Sequence, residues 1–335
     1  MGTPPQAAIE HDTAQRKIIS DTIDEVAKQW GNLPPADFDA WFNRNIDRLT
    51  RTVTAGQRAA VAGADRYVGD ALEEQHISAR QQATPNPARL VGVTSDGRTI
   101  DGLLLQAVIG AGQRVNEGEA PYLAWQNAGR TARLMIQTEL ADAGRAATGL
   151  GIISRLGVGY IRMLVPPSCS RCVILAGRYY HWSSGFLRHP GCNCKHIPCR
   201  ENRSDDIRTD PKAYFNSLTP VEQARVFTAA GARAIRDGGD MSQVVNARRG
   251  LTISGGIVRD GVRLGARAQT TDVHGRQLLT TTEGVTRRGV AGRAIRARGR
   301  NARTTPRLMP EAIYQIAENR EDALRLLRLN GYITT

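Results

Sequence analysis

No apolar run in this 335-residue chain is long enough to span a membrane. The best candidate, residues 102–112, is too short, and residues 149–165 are interrupted by Arg155 and Arg162. Residues 1–16 are polar, carry Pro4 and Pro5, and lack the apolar centre of a secretory leader. The expectation is synthesis into a reducing cytoplasm, with no membrane partner. Aromatic residues are scarce, at 5%. Acidic residues are outnumbered, 32 Asp and Glu against 45 Lys and Arg, which leaves a net charge of +13 and a pI near 10.1. A soluble protein this basic ordinarily meets a polyanion, nucleic acid above all; a merely solvated arginine surface is the plainer alternative. Length and a 41% hydrophobic content admit one large or two ordinary domains.

Cysteine is absent everywhere except one short stretch. Cys169, Cys172, Cys192, Cys194 and Cys199 all fall within residues 166–199, about a tenth of the chain, together with His181, His189 and His196. Random placement would not concentrate them so. Cys169-x-x-Cys172 has the spacing of a metal knuckle, in which two thiolates across a tight turn aim at one point. His189-x-x-Cys192-x-Cys194 can supply an imidazole and a further thiolate to complete a tetrahedral site. Candidate ligands are therefore Cys169, Cys172, His189, Cys192 and Cys194, and the candidate cofactor is a structural zinc. Between the halves, residues 177–187 (GRYYHWSSGFL) alternate in a way that suits a β-hairpin folding the half-sites together. There is no H-x(3–5)-H half, so this is not a standard finger. Four good ligands leave no open position, and no nearby helical Glu suggests a zinc protease. A disulfide framework, for example Cys169–Cys192 or Cys172–Cys194, is the rival, with one thiol left over.

The chain before this box reads as helical. Ile18, Ile19, Ile23, Val26 and Ala27 recur at helical spacing up to Trp30, and Pro34-Pro35 ends that segment. Asp37 then caps a helix predicted to run without a break toward Glu74, with Phe38, Trp41, Phe42, Ile46, Leu49 and Val53 on one stripe. Residues 82–97 are loop-like, and 101–115 form a shorter helix. Pro121 suits the first turn of a long helix over about 122–148, predicted to stop at Gly149 and Gly151. Residues 157–165 have strand character and lead into the box. Beyond it, Thr219, Pro220 and Glu222 make a helix start with a capping box, and residues 251–283 are turn-rich or form short strands.

The box resembles that of the minor head proteins of tailed phages related to protein F of phage Mu, the MuF family. The residues that carry the likeness are Thr138-Glu139, Cys169-x-x-Cys172, Leu175-x-Gly177, His189-Pro190-Gly191-Cys192-Asn193-Cys194 and Pro198, within roughly residues 120–200. Asn193 stands where the family usually has Arg, and His196 and Cys199 are extra potential ligands, so Cys192, Cys194 and His196 compete for the fourth place. The resemblance implies a virion protein of the head interior, present near the portal, made in the host cytoplasm and active in head morphogenesis, DNA packaging or capsid maturation. It implies the portal protein and other head proteins, major capsid or scaffold, as partners. Two rivals are kept: a phage head maturation protease, alone or fused to such a region, and a host zinc-ribbon protein that binds nucleic acid.

Between Glu283 and Glu311 there is no acidic residue. Arg287, Arg288, Arg293, Arg296, Arg298, Arg300, Arg303 and Arg307 crowd this segment. Arginine interleaved with glycine cannot build a core, so an extended arm is expected. The first seven are the candidate nucleic-acid contacts, neutralising the phosphates of double-stranded DNA without sequence preference, since no aromatic is present to stack on bases. An acidic protein surface is the alternative target. The predicted fold is mainly α with a small antiparallel β element (α+β). It divides into a helical region at 1–80, a core at 98–200, a helical extension at 205–250, a flexible arm at 251–307 and a C-terminal helical docking module at 308–335.

Overall fold

The computed structural model describes residues 3–165, 168–185, 189, 192–207, 209–248, 257–259, 262–264, 269–273, 276–283, 293 and 306–333. The protein is mainly α-helical with small antiparallel sheets. No described helix is long and apolar enough to cross a membrane. The chain divides into two compact units, one comprising residues 1–168 and 176–210, the other residues 169–175 and 211–335.

The first unit is a helical bundle: α1 (Gln6–Trp30), α2 (Phe38–Val61), α3 (Ala64–Glu74), α4 (Ile100–Asn116) and α5 (Pro121–Ile153). Three of the starts have a local cause. Asp37 accepts a hydrogen bond from the Ala40 amide at 2.9 Å, Thr99 accepts one from Gly102, and Pro121 occupies the first turn of α5. The core is built from α1, α2, α4 and α5 around Trp125, whose ring stacks on Trp30 at 4.8 Å and meets Trp41 edge-on at 4.7 Å. Small residues let these helices approach closely. A Cβ on Gly56 would stand 2.5 Å from the Thr22 hydroxyl, and one on Gly144 would stand 2.5 Å from the Gln15 amide oxygen.

Two helix boundaries differ from expectation. The helix predicted from Asp37 to Glu74 is two helices, because Ala62 turns extended and Gly63 adopts a left-handed conformation with φ of 75°. Helix α5 does not stop at Gly149 but runs through both glycines to Ile153. Gly151 lies where α3 crosses, and a Cβ there would press on Val68 at 3.0 Å. A three-stranded antiparallel sheet completes the unit, in the order β2 (Tyr179–Tyr180), β1 (Gly159–Met163), β3 (Lys195–Cys199). Among the described residues of 177–187 no hairpin is formed. The Tyr179-Tyr180 pair instead adds to β1, whose opposite edge takes β3.

The second unit carries α6 (Ser170–Leu175), α7 (Pro211–Ser217), α8 (Pro220–Phe227), α9 (Ala229–Arg236) and α10 (Met241–Ala247). The capping box between Thr219 and Glu222 is present with both reciprocal bonds. Short strands follow: the pair β4 (Ile257–Arg259) and β5 (Val262–Leu264), then a sheet in the order β6 (Gln269–Val273), β7 (Arg276–Thr281), β8 (Arg307–Leu308). Two helices, Pro310–Ile316 and Arg320–Leu329, end the unit.

Those last helices are not a free-standing docking module. Ile313, Leu327, Tyr332 and Ile333 share one buried core with Ala234, Val244 and Ala247. Removing residues 308–335 would therefore open that core rather than leave the rest intact. Arg307 also differs from expectation. It is not an arm cation but a fully buried side chain on β8, 2% exposed.

Candidate metal centre

The first unit grips the second half of the cysteine box by its backbone. Arg145, buried on α5, donates from Nη1 to the carbonyls of Cys192 and Cys194 at 3.1 and 3.2 Å, while its Nη2 is bonded to Asp142 one turn earlier. From α3, Tyr67 donates its hydroxyl to the His196 carbonyl at 2.6 Å, and Gln75, which caps the end of that helix, donates its side-chain amide to the Pro198 carbonyl at 2.8 Å. Three side chains thus fix the main chain of residues 192–198.

Strand β1 adds charge. Arg162 pairs in register with His196 of β3 and is 1% exposed. Its Nη2 lies 3.7 Å from the Cys192 sulfur. A buried guanidinium at that distance favours the thiolate form, which is the ligating form. Tyr160, two residues before, is sandwiched between Tyr180 at 5.3 Å and His196 at 4.1 Å. Burial, with Tyr180 beside it, pushes the Tyr160 phenol up to about 12, so it stays neutral. Lys195 points back to Asp12 of α1 at 3.9 Å, and burial, aided by Arg145, lowers it to about 8.

The first half of the box sits at the start of α6. Cys169 and Cys172 have their sulfurs 3.5 Å apart, and the Cys172 amide donates to the Cys169 sulfur at 3.4 Å. Two thiolates sharing one tetrahedral zinc at 2.3 Å stand about 3.8 Å apart, so this spacing suits a common ion. After α6, Gly177 takes φ of 67° and donates its amide to the Arg162 carbonyl, which starts β2 alongside β1. That left-handed conformation is what the L-x-G glycine is for.

No disulfide joins the five cysteines, so neither of those pairings is formed. Two groups have ligand atoms within 4.8 Å of one another: Cys169, Cys172 and His189, and Cys172, Cys192 and Cys194. These side chains could hold a metal ion, and Cys172 belongs to both groups. Soft thiolates with one imidazole form a donor set suited to zinc. The two extra candidates fall outside both groups. His196 is stacked on Tyr160, and burial pushes the Cys199 thiol up to about 12, so it remains a protonated thiol packed as a small apolar group.

Of the seven basic-segment arginines, Arg293 is exposed and Arg287, Arg288, Arg296, Arg298, Arg300 and Arg303 lie outside the described residues. Sequence reasoning missed Arg145, Tyr67 and Gln75. The one available signal was Asp142-x-x-Arg145, an ion-pair spacing within an Ala- and Gly-rich helical stretch that offers no polar surface.

The sheet has one tight point. A Cβ on Gly159 would stand 2.4 Å from both the Tyr180 carbonyl and the Tyr179 hydroxyl. Gly159→Ala is expected to push β2 off β1 and to cost about 1–3 kcal/mol in thermal or urea unfolding. Unchanged stability would show that β2 is not held against β1 at this point.

The fold is mainly helical with small antiparallel sheets and carries a Cys/His cluster that could hold a metal ion. The profile of the VG15 protein family matches residues 3–219, more than half of the chain and including the whole cysteine box. The chain belongs to the VG15 protein family, a family of phage proteins. No curated protein and no solved structure matches it.

Proposed function

We propose that the chain is a minor capsid protein of a tailed phage, acting in head morphogenesis inside the head near the portal. Its core holds one structural zinc through Cys169, Cys172 and two of His189, Cys192 and Cys194. Its basic segment contacts packaged DNA or the acidic surfaces of portal, major capsid or scaffold subunits. The observation that carries this reading is the gathering of those five side chains into overlapping ligand groups inside the region matched by a phage family. The net charge of +13 supports a polyanionic partner. The zinc would fix the loop ends and supply folding energy; with four ligands it keeps no position open for chemistry.

The location is tested by quantitative mass spectrometry of purified heads, where a few copies per particle are expected. Absence from heads, with the protein abundant in the infected cell, would refute it. The basic segment is tested by salt titration of DNA binding. Replacing Arg287, Arg288, Arg293, Arg296, Arg298, Arg300 and Arg303 of the full chain by Gln should flatten the log-affinity against log-salt slope by up to about 6, since each lost phosphate contact removes about 0.9. An unchanged slope would move the DNA contact elsewhere.

A further inference from the structure

Where the end of α1 meets the first half of α5, the first unit carries a groove of about 450 Å³, including its open mouth. Val26, Trp30, Trp125 and Gly129 line its apolar part, and Arg130 and Arg133 line its polar part. Three features of this groove have no use within the described residues. The indole nitrogens of Trp30 and Trp125 are buried and make no hydrogen bond. Their side chains are 5% and 0% exposed, so the missing acceptor is not replaced by bulk water. Arg130 and Arg133 are exposed and form no ion pair among the described residues. Gly129 keeps the wall open beside an indole donor, since a Cβ there would stand 3.3 Å from the Trp30 nitrogen.

Unsatisfied donors and two unpaired cations around an apolar floor call for one kind of occupant. It must bring hydrogen-bond acceptors, negative charge and at least one apolar side chain. The enclosed part, about 80 Å³, admits a side chain or two, not a folded domain. A nucleic-acid backbone brings charge and acceptors but no apolar group to fill the floor. A second copy of this basic chain would bring mainly the wrong charge. We infer that this groove is a docking site for an acidic peptide segment of another protein, seating an apolar side chain over the Trp30–Trp125 pair and its carboxylates against Arg130 and Arg133. The inference is independent of the zinc and DNA readings, because none of these residues belongs to the cysteine box or the basic segment.

The test is selection of a random 12-residue peptide display library on the full-length protein, with Arg130→Glu/Arg133→Glu as the counter-target. Selected peptides are then synthesised and titrated by intrinsic fluorescence. Three of the four tryptophans, Trp30, Trp41 and Trp125, lie in this cluster, so the emission reports on the groove directly. Enriched peptides should combine Asp or Glu with an aromatic or aliphatic residue. Affinity should fall about tenfold or more in the double variant, and by a similar factor when the peptide's own Asp and Glu become Asn and Gln. Both arginines are exposed and unpaired, so the variant should keep the wild-type unfolding midpoint, and the peptide-side changes give the same answer without altering the protein. Failure to enrich any peptide, enrichment without acidic residues, or equal affinity for the variant would overturn the inference. A mass that doubles with concentration, and does so no longer in the double variant, would give the groove to a second copy and overturn it as well.

Discussion

Cys172→Ser is expected to abolish metal retention and to lower the unfolding midpoint by about 10 °C or more. Cys172 is the residue common to both ligand groups, so without it neither group keeps three mutually close ligands. Structural zinc sites contribute about 10–16 kcal/mol of apparent binding energy in small domains at neutral pH, and that energy is folding energy. Losing even a third of it here would exceed the effect of most single core substitutions. For a chain of this size each kcal/mol moves the midpoint by about 2–4 °C. Elemental analysis of the purified wild type should return about one zinc per chain.

The controls separate ligand loss from packing loss. Cys199 is equally buried but lies outside both groups, and its thiol stays protonated. Cys199→Ser should therefore keep its zinc while costing about 1–3 kcal/mol for a buried hydroxyl. His189→Ala leaves four thiols and should weaken zinc binding without removing it. Arg162→Met leaves every ligand in place but withdraws the cation 3.7 Å from the Cys192 sulfur. It should lower zinc affinity most at the acid end of the range, where thiolates compete with protons. If Cys172→Ser and Cys199→Ser behaved alike, with zinc retained in both, the assignment of Cys172 as a ligand would be wrong.

What could be read from the residues was local. Helix starts at Asp37 and Thr219 follow from side chains that bond amides three residues on, and the β1 segment follows from its composition. The thiols announced themselves by spacing alone. The break at Ala62-Gly63 was hidden because the alanine pattern continues across it with no proline, and only the φ of Gly63 redirects the chain. The run of α5 through Gly149 and Gly151 was hidden for the opposite reason: Gly151 serves close helix packing against Val68, not termination. The grip of Arg145, Tyr67 and Gln75 on residues 192–198 was invisible in principle. Its acceptors are main-chain carbonyls, which every residue has, so no residue pattern marks them. The misplacement of Arg307 has the same root. Composition groups it with its arginine neighbours, whereas its burial is set by residues 283, 243 and 330, which are distant in the chain.

Arg307→Ala should destabilise the second unit by about 3–5 kcal/mol, although it lies at the edge of the most arginine-rich segment in the chain. Its guanidinium donates to the Asn330 carbonyl at 3.2 Å, the Gln243 side-chain oxygen at 3.3 Å, the Gln243 carbonyl at 3.3 Å and the Glu283 carbonyl at 3.2 Å. It also lies 4.5 Å above the Tyr332 ring. No carboxylate pairs with it among the described residues, so neutral dipoles and one aromatic face alone compensate a buried charge. Burial pulls its pKa below the ordinary arginine value, yet a guanidinium does not lose its proton in this range. Truncation would leave three carbonyls without this donor in a site closed to water, and would leave β8 tied to the C-terminal turn only by the bonds of Asn330 and Tyr332 to Leu308. Arg307→Lys keeps the charge but not the planar fork that reaches four acceptors, so it should recover less than half of the loss. Arg293→Ala, at an exposed position of the same segment, should stay within about 0.5 kcal/mol of wild type. DNA binding should show the opposite order, with the salt slope reduced by Arg293→Ala and untouched by Arg307→Ala below its unfolding range. Urea unfolding and salt titration of the two variants side by side decide the matter. If Arg307→Ala unfolded like wild type and changed the salt slope, the side chain would belong to the basic segment after all, and β8 would need another explanation.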